Sequence, residues 1–168
     1  MGINKIYRLH VFLDSKRSRV MIIEGKFTIN APIQTVWDSL LDPETLGKCV
    51  PGTEKMVALD ADTYESVVKQ RVGPFKVTLK FTTKLTEKRA PNYIRAEGRG
   101  ADITKLGTFS TTMEVNLTET APNNVDVAYK ADVSLVGKLA TFGERIMRAK
   151  AKDVGDQFTE NLRSSLNA

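Results

Sequence analysis

From Val20 onward apolar and polar residues take turns: Ile23, Gly25, Phe27 and Ile29 share one parity, and Glu24, Lys26 and Thr28 the other. That is the period of a strand with one buried face. Asn30-Ala31-Pro32 follows as a turn, with a helix predicted to begin at the proline, whose missing amide hydrogen costs nothing in a first turn. Val36, Trp37, Leu40 and Leu41 make the apolar face of that helix. Asp42-Pro43 ends it, because a residue before proline avoids helical geometry. A second short helix is predicted over 43–48, closing at Cys49-Val50-Pro51-Gly52.

From Thr53 the period is two again. Strands are predicted near 53–59, 63–72, 75–88, 92–101, 107–119 and 124–135, punctuated by Asp60-Ala61-Asp62, Gly73-Pro74, Ala90-Pro91 and Pro122-Asn123-Asn124. The clearest is 75–88, where Phe75, Val77, Leu79, Phe81 and Leu85 alternate with Lys76, Thr78, Lys80, Thr82 and Lys84. Links this short make antiparallel hairpins, since a parallel return needs a crossover of about a dozen residues. After Gly137 the spacing becomes helical: Leu139, Phe142, Ile146, Ala149, Val154, Phe158, Leu162 and Leu166 recur every three to five residues. One helix over 138–166 would run about 43 Å, enough to cross a whole sheet. Gly143 and Gly155 weaken it by about 1 kcal/mol each relative to alanine, so packing must hold it.

One arrangement buries every apolar face: an α+β domain in which a bent, seven-stranded antiparallel sheet curls around the C-terminal helix, with two short helices after the first strand. The 168 residues, 41% hydrophobic and 27% charged, suit one folded domain. No apolar run is long enough to span a bilayer and no leader with a cleavage site opens the chain, so a cytoplasmic location is expected. The net charge of +5 is lopsided: Lys5, Arg8, Lys16, Arg17 and Arg19 against Asp14 leave the rest nearly neutral. Residues 1–20 therefore read as a basic extension, a flexible tail or an extra strand, ahead of a ligand-binding domain over 21–168, with Met21 as an alternative start. The extension has too few cations and no aromatic pattern for nucleic acid, which is not expected as a partner.

The gap between such a sheet and its helix is a natural place for a small molecule. Parity turns Phe75, Val77, Leu79 and Phe81 inward, then Ile94, Ala96, Gly98 and Gly100, then Phe109, Thr111, Met113, Val115 and Leu117, then Val125, Val127, Tyr129, Ala131 and Val133. This lining has almost no acid, base or nucleophile, so no catalytic residue is assigned. With one cysteine, Cys49, and one histidine, His10, neither a disulfide nor a metal site is expected, and no cofactor is assigned. Cys49 has only Lys48 beside it and reads as a buried structural thiol. Polar handles remain in Tyr64, Ser66, Gln70, Thr111 and Tyr129, suited to orienting a carbonyl or hydroxyl. The expected ligand-binding residues are Tyr64, Phe75, Val77, Leu79, Phe81, Phe109, Thr111, Met113, Tyr129, Phe142, Ile146 and Met147, with the mouth between the 49–52 loop, the Gly73-Pro74 turn and the terminal helix near Phe142, Ile146 and Met147. Each apolar position also reads as plain core. The series Ala96, Gly98, Gly100 either lets the sheet bend or admits a ligand closely. Trp37 reads as a packing anchor.

Several segments, taken in order, resemble the CoxG family of carbon monoxide dehydrogenase accessory proteins, a branch of the START-like, or polyketide-cyclase-like (SRPBCC), helix-grip superfamily. They are Glu24-Gly25-Lys26-Phe27, Ala31-Pro32 with Val36-Trp37, Asp42-Pro43-Glu44 running into Cys49-Val50-Pro51-Gly52, Val72-Gly73-Pro74, Ala131-Asp132-Val133, Gly137-Lys138-Leu139-Ala140 and Asp156-Gln157-Phe158 with Glu160-Asn161. The resemblance implies a hydrophobic cavity and an accessory role beside a molybdenum-containing hydroxylase of the carbon monoxide dehydrogenase type, with the pocket carrying a membrane quinone or helping the enzyme dock at the inner membrane face. Some relatives carry a C-terminal anchoring extension where this chain stops at Ala168, and the basic segment before Met21 lies outside the family pattern. The leading expectation is a non-catalytic binding or carrier protein for a hydrophobic small molecule. A cyclase- or hydrolase-like enzyme and a purely structural assembly factor are the alternatives.

Overall fold

A computed structural model describes residues 8–14 and 18–167. The elements in chain order are β1 (Arg8–Asp14), β2 (Ser18–Ile29), α1 (Ile33–Leu41), α2 (Pro43–Cys49), β3 (Thr53–Asp60), β4 (Thr63–Val72), β5 (Phe75–Arg89), β6 (Tyr93–Asp102), β7 (Gly107–Ala121), β8 (Asn124–Gly137), a 3₁₀ turn (Lys138–Thr141) and α3 (Glu144–Leu166). The strands form one sheet in the order β1-β2-β8-β7-β6-β5-β4-β3, antiparallel throughout. The seven expected strands are all present. An eighth comes from the extension, where β1 pairs with β2 from Arg8↔Glu24 to Asp14↔Ser18.

The helices start and stop for local reasons. The Asp42 carboxylate caps α2 by accepting from the amide and hydroxyl of Thr45, at 2.9 and 2.6 Å. These bonds hold the Asp42 carboxyl below its ordinary range. The terminal helix departs from the continuous 138–166 element expected. A 3₁₀ turn ends at Phe142, the backbone extends through Phe142 and Gly143, and α3 starts afresh at Glu144 with Gly143 as its N-cap. Gly143 is thus not part of a helix wall. The break resets the helical phase, so Ala149, expected to face the sheet, is exposed, while Met147, Lys150, Ala151, Val154 and Phe158 are half-buried and Leu162 fully buried.

The interior is divided into two apolar clusters. One gathers Phe27, Ile29, Ala31, Val36, Trp37, Cys49, Ile94, Leu117, Val125, Val127 and Leu162 between α1, α2, the sheet and the end of α3. The other gathers Met21, Val72, Val77, Leu135, Leu139, Ala140 and Phe142 at the opposite end of the strands, beneath the 3₁₀ turn. Cys49 lies in the first cluster, fully buried, and burial pushes its thiol pKa up. It is an inert packing residue there.

Candidate functional site

Between the two clusters lies the middle of the inner sheet face, and it is not packed shut. Met113 stands in the row Ala96-Met113-Ala131 across β6, β7 and β8. It keeps 37% of its surface accessible, although its parity points it at α3. The neighbouring Phe81, Leu79, Phe109, Thr111 and Val115 are half-buried. The side chains of a closed core lose nearly all their surface, so this row faces a water-sized or larger trough. α3 makes its close approaches to α2, β2 and β4 and passes over the central strands at a distance.

The glycines of this face are filled by neighbours. A Cβ on Gly100 would collide with the Phe81 side chain, whose ring meets Phe109 edge-on at 5.4 Å. A Cβ on Gly98 would stand 2.9 Å from Thr111 Cγ2. These glycines let strand neighbours lean across them. Gly25 does the same for Tyr129, whose hydroxyl occupies the space a Cβ would need.

The expected site residues divide by place. Met113 stands in the open middle with the half-buried Phe81 and Thr111 near it, while Leu79 and Phe109 pack against the second cluster and Tyr129 against the first. Val77 and Phe142 are buried in the second cluster, and Met147 packs against it. Phe75 is partly exposed and stacks on Phe142 at 5.3 Å. Ile146 is exposed and lies over the Gly73-Pro74 turn, its Cδ1 3.3 Å from where a Gly73 Cβ would be. These three residues bring the turn and the start of α3 together. Tyr64 is different: its hydroxyl donates to the Leu41 carbonyl at 2.8 Å, which fastens β4 to the end of α1.

Polar groups at the trough come partly from where strand parity does not look. The Thr111 hydroxyl is buried without a hydrogen-bond partner among the described residues. Tyr129, its pKa raised by burial and by the charge of Asp156, makes no hydrogen bond among the described residues. Asp156 and Lys150 are half-buried on α3. Lys150 Nζ donates to Gln70 Oε1 at 3.3 Å, and Asp156 pairs with Lys152 at 2.7 Å. Strand parity cannot reveal this carboxylate and this ammonium, because both belong to the helix. The helical period counted from Met147 does pick out Lys150 and Val154.

Two shallow depressions, of about 350 and 230 Å³, lie on the outer sheet face. Their outward side chains, such as Glu24, Lys26, Glu114 and Lys130 in one and Glu97, Arg99 and Asp132 in the other, are charged, unlike the inner trough. Among the described residues no group of three or more His, Cys, Asp or Glu side chains is placed to hold a metal ion, and no helix is long and apolar enough to cross a membrane.

An antiparallel sheet curled around a C-terminal helix, with two short helices after the first long strand and an apolar inner trough, defines a START-like, helix-grip protein. The chain belongs to the carbon monoxide dehydrogenase CoxG family, whose model matches residues 25–167. Among solved structures it is similar to a conserved protein from Geobacillus kaustophilus, with TM-score 0.79 and 19% identity over 86% of this chain and 93% of that one. It is also similar to a START superfamily protein from Mycobacterium smegmatis, with TM-score 0.67 and 11% identity over 87% and 97%. A truncated norcoclaurine synthase from Thalictrum flavum gives TM-score 0.58 and 11% identity over 93% and 99%. At these identities the likeness is one of fold. No curated protein matches the sequence at a significant level.

Proposed function

We propose that the protein binds a hydrophobic small molecule in the trough over Met113 and carries or presents it without chemical change. The observation that carries this reading is the accessible Met113 at the centre of an apolar inner face, since an exposed apolar wall stays costly until something apolar covers it. Tyr129 offers the ligand a hydrogen bond in an otherwise greasy site. Membership of the CoxG family supports an accessory role beside a carbon monoxide dehydrogenase-type molybdenum hydroxylase, and in that setting a quinone is the ligand class proposed.

Peripheral contact with a membrane belongs to the same reading. Val20, Phe75, Ile103, Val136 and Ile146 are exposed apolar residues at the end of the sheet where β4 turns into β5 and α3 begins. Arg71, Lys76, Lys105, Lys138 and Arg145 share that end. Apolar side chains ringed by cations suit an anionic bilayer surface, and the mouth proposed for the trough lies at this end, where Ile146 covers the Gly73-Pro74 turn and has to move aside for a ligand to enter.

The test is extraction of the purified protein with organic solvent, followed by mass spectrometry. A single apolar species at near-stoichiometric yield is the expected result; protein that yields none and takes up no apolar compound on incubation overturns the reading. A second reading, an enzyme in the same trough, is favoured by Asp156 beside Tyr129, and norcoclaurine synthase carries a catalyst's name on this fold. Recovery of a bound molecule chemically changed by wild type and left unchanged by Asp156→Asn would establish it.

A further inference from the structure

The inner parity of β2 runs Met21, Ile23, Gly25, Phe27 and Ile29 toward its end, and its first member is Arg19, opposite Leu135 of β8. A cation at this position breaks the apolar pattern. Its guanidinium Nη1 donates to the carbonyl of Phe142, while its Nε is buried with no partner among the described residues. Phe142 is the residue at which the 3₁₀ turn gives way to the extended link into α3.

That link is built as a hinge. Gly137, in the left-handed region at φ 81°, precedes the 3₁₀ turn, and Gly143 follows it with open space where a Cβ would be. No side chain caps the start of α3, and none of residues 144–158 is buried. The start of the roof is tied down by a handful of contacts: Phe142 buried in the second cluster and set on Phe75, Met147 packed against the same cluster, Ile146 over Gly73, Lys150 to Gln70, and Arg19 to Phe142.

We propose that Arg19 is a positioning residue that latches the hinge of α3, so that a residue ahead of the family-matched 25–167 sets how fast the trough opens. The unpaired Nε makes the latch releasable. Closing strips water from a donor that finds no partner among the described residues, and opening lets water return to it, which brings the closed and open states nearer in energy. The ligand-exchange part of this inference rests on the proposed apolar binding; the hinge part does not.

The experiment compares full-length wild type, Arg19→Ala and Arg19→Lys, using the neutral fluorophore diphenylhexatriene for stopped-flow uptake and release, and hydrogen exchange read by peptide. Loss of one hydrogen bond from the closed state should speed both uptake and release in Arg19→Ala by about fivefold, with the equilibrium affinity moving less than about twofold. Lysine, which can still donate to Phe142, should restore most of the slow rate. Amides of 144–150 should exchange faster in Arg19→Ala, with those of 159–163 unchanged. Folded Arg19→Ala with unaltered exchange in 144–150 overturns the latch, and so does faster exchange spread evenly over the chain, which marks a merely structural residue. If wild type fails to bind the fluorophore, the apolar-ligand reading is what suffers, and the contrast between 144–150 and 159–163 still decides the latch.

Discussion

Toward its C-terminus α3 is bolted to the rest of the molecule, and toward its N-terminus it is laid across it. Thr159 and Leu162 are buried, Asn161 Nδ2 donates to the Cys49 carbonyl at 2.9 Å, and Arg163 Nη2 donates to the Thr28 carbonyl at 2.9 Å. From Glu144 to Phe158 no residue is buried. A helix gains most of its stability from packing an apolar face, so one continuous element combines a firm anchor with a lightly packed roof. The same contrast runs through the sheet, where the apolar cluster under α1 and α2 is closed and the row at Met113 is open.

The largest effect should come from the anchor. Leu162→Ala removes a fully buried side chain from the first cluster and is expected to cost about 2–5 kcal/mol in denaturant unfolding. A loss under about 1 kcal/mol would mean that the anchor is not packed as described.

Asp102 should come next. Its buried carboxylate accepts from the amides of Thr78 at 2.9 Å, Thr104 at 2.9 Å and Leu106 at 3.3 Å, and from the Thr104 hydroxyl. Burial pushes its pKa up, but these bonds outweigh it and the net shift is downward. A carboxyl with a lower pKa folded than unfolded contributes stability above its unfolded value of about 3.9 and loses it as pH falls through the folded value. Asp102→Ala should cost about 1.5–3 kcal/mol at neutral pH and flatten the acid limb of the stability curve. An acid limb as steep as wild type's would show that other carboxylates govern it.

At the roof the sign of the comparison reverses. Met147→Glu changes a half-buried residue on the lightly held part of α3, at the edge of the second cluster. It should alter stability by less than about 1 kcal/mol while lowering retention of an apolar ligand at least tenfold. Stability and retention falling together would make Met147 ordinary core. The smallest effect is expected for Ile146→Ala, within about 0.5 kcal/mol of wild type, because Ile146 is already exposed.

Strand boundaries and the meander from β3 to β8 were legible because β4, β5, β7 and β8 alternate cleanly and short Gly, Pro, Asn and Asp turns punctuate the strands, whereas the pairing of β2 with β8 was not, since it joins segments about a hundred residues apart. Gly137-to-Leu166 was legible as helical in period and illegible in phase. Gly143 reads in sequence as a tolerated weak point, whereas only its placement after a 3₁₀ turn makes it the cap of a new helix, and this shift exchanges Ala149 for Lys150 and Ala151 on the inner side. Strand parity picked Thr111, Met113 and Tyr129 for the inner face. It had no means of knowing that Phe81 and Tyr129 lean over Gly100 and Gly25, since that depends on the register of β5 with β6 and on the pairing of β2 with β8 from the far end of the chain. Nor does any local pattern place Asp156 of α3 near Tyr129 of β8. Tyr64 looks like a free handle until the end of α1 arrives beside it.

The central claim, that space for an apolar molecule stands in front of Met113, is tested most directly by Met113→Trp, measuring diphenylhexatriene binding and thermal midpoint on the same samples. A trough accommodates the indole, so binding should fall at least tenfold while the midpoint stays within about 3 °C of wild type. A closed core would be overpacked by about 1–3 kcal/mol, and a midpoint that drops accordingly, with no wild-type binding to lose, would contradict the claim.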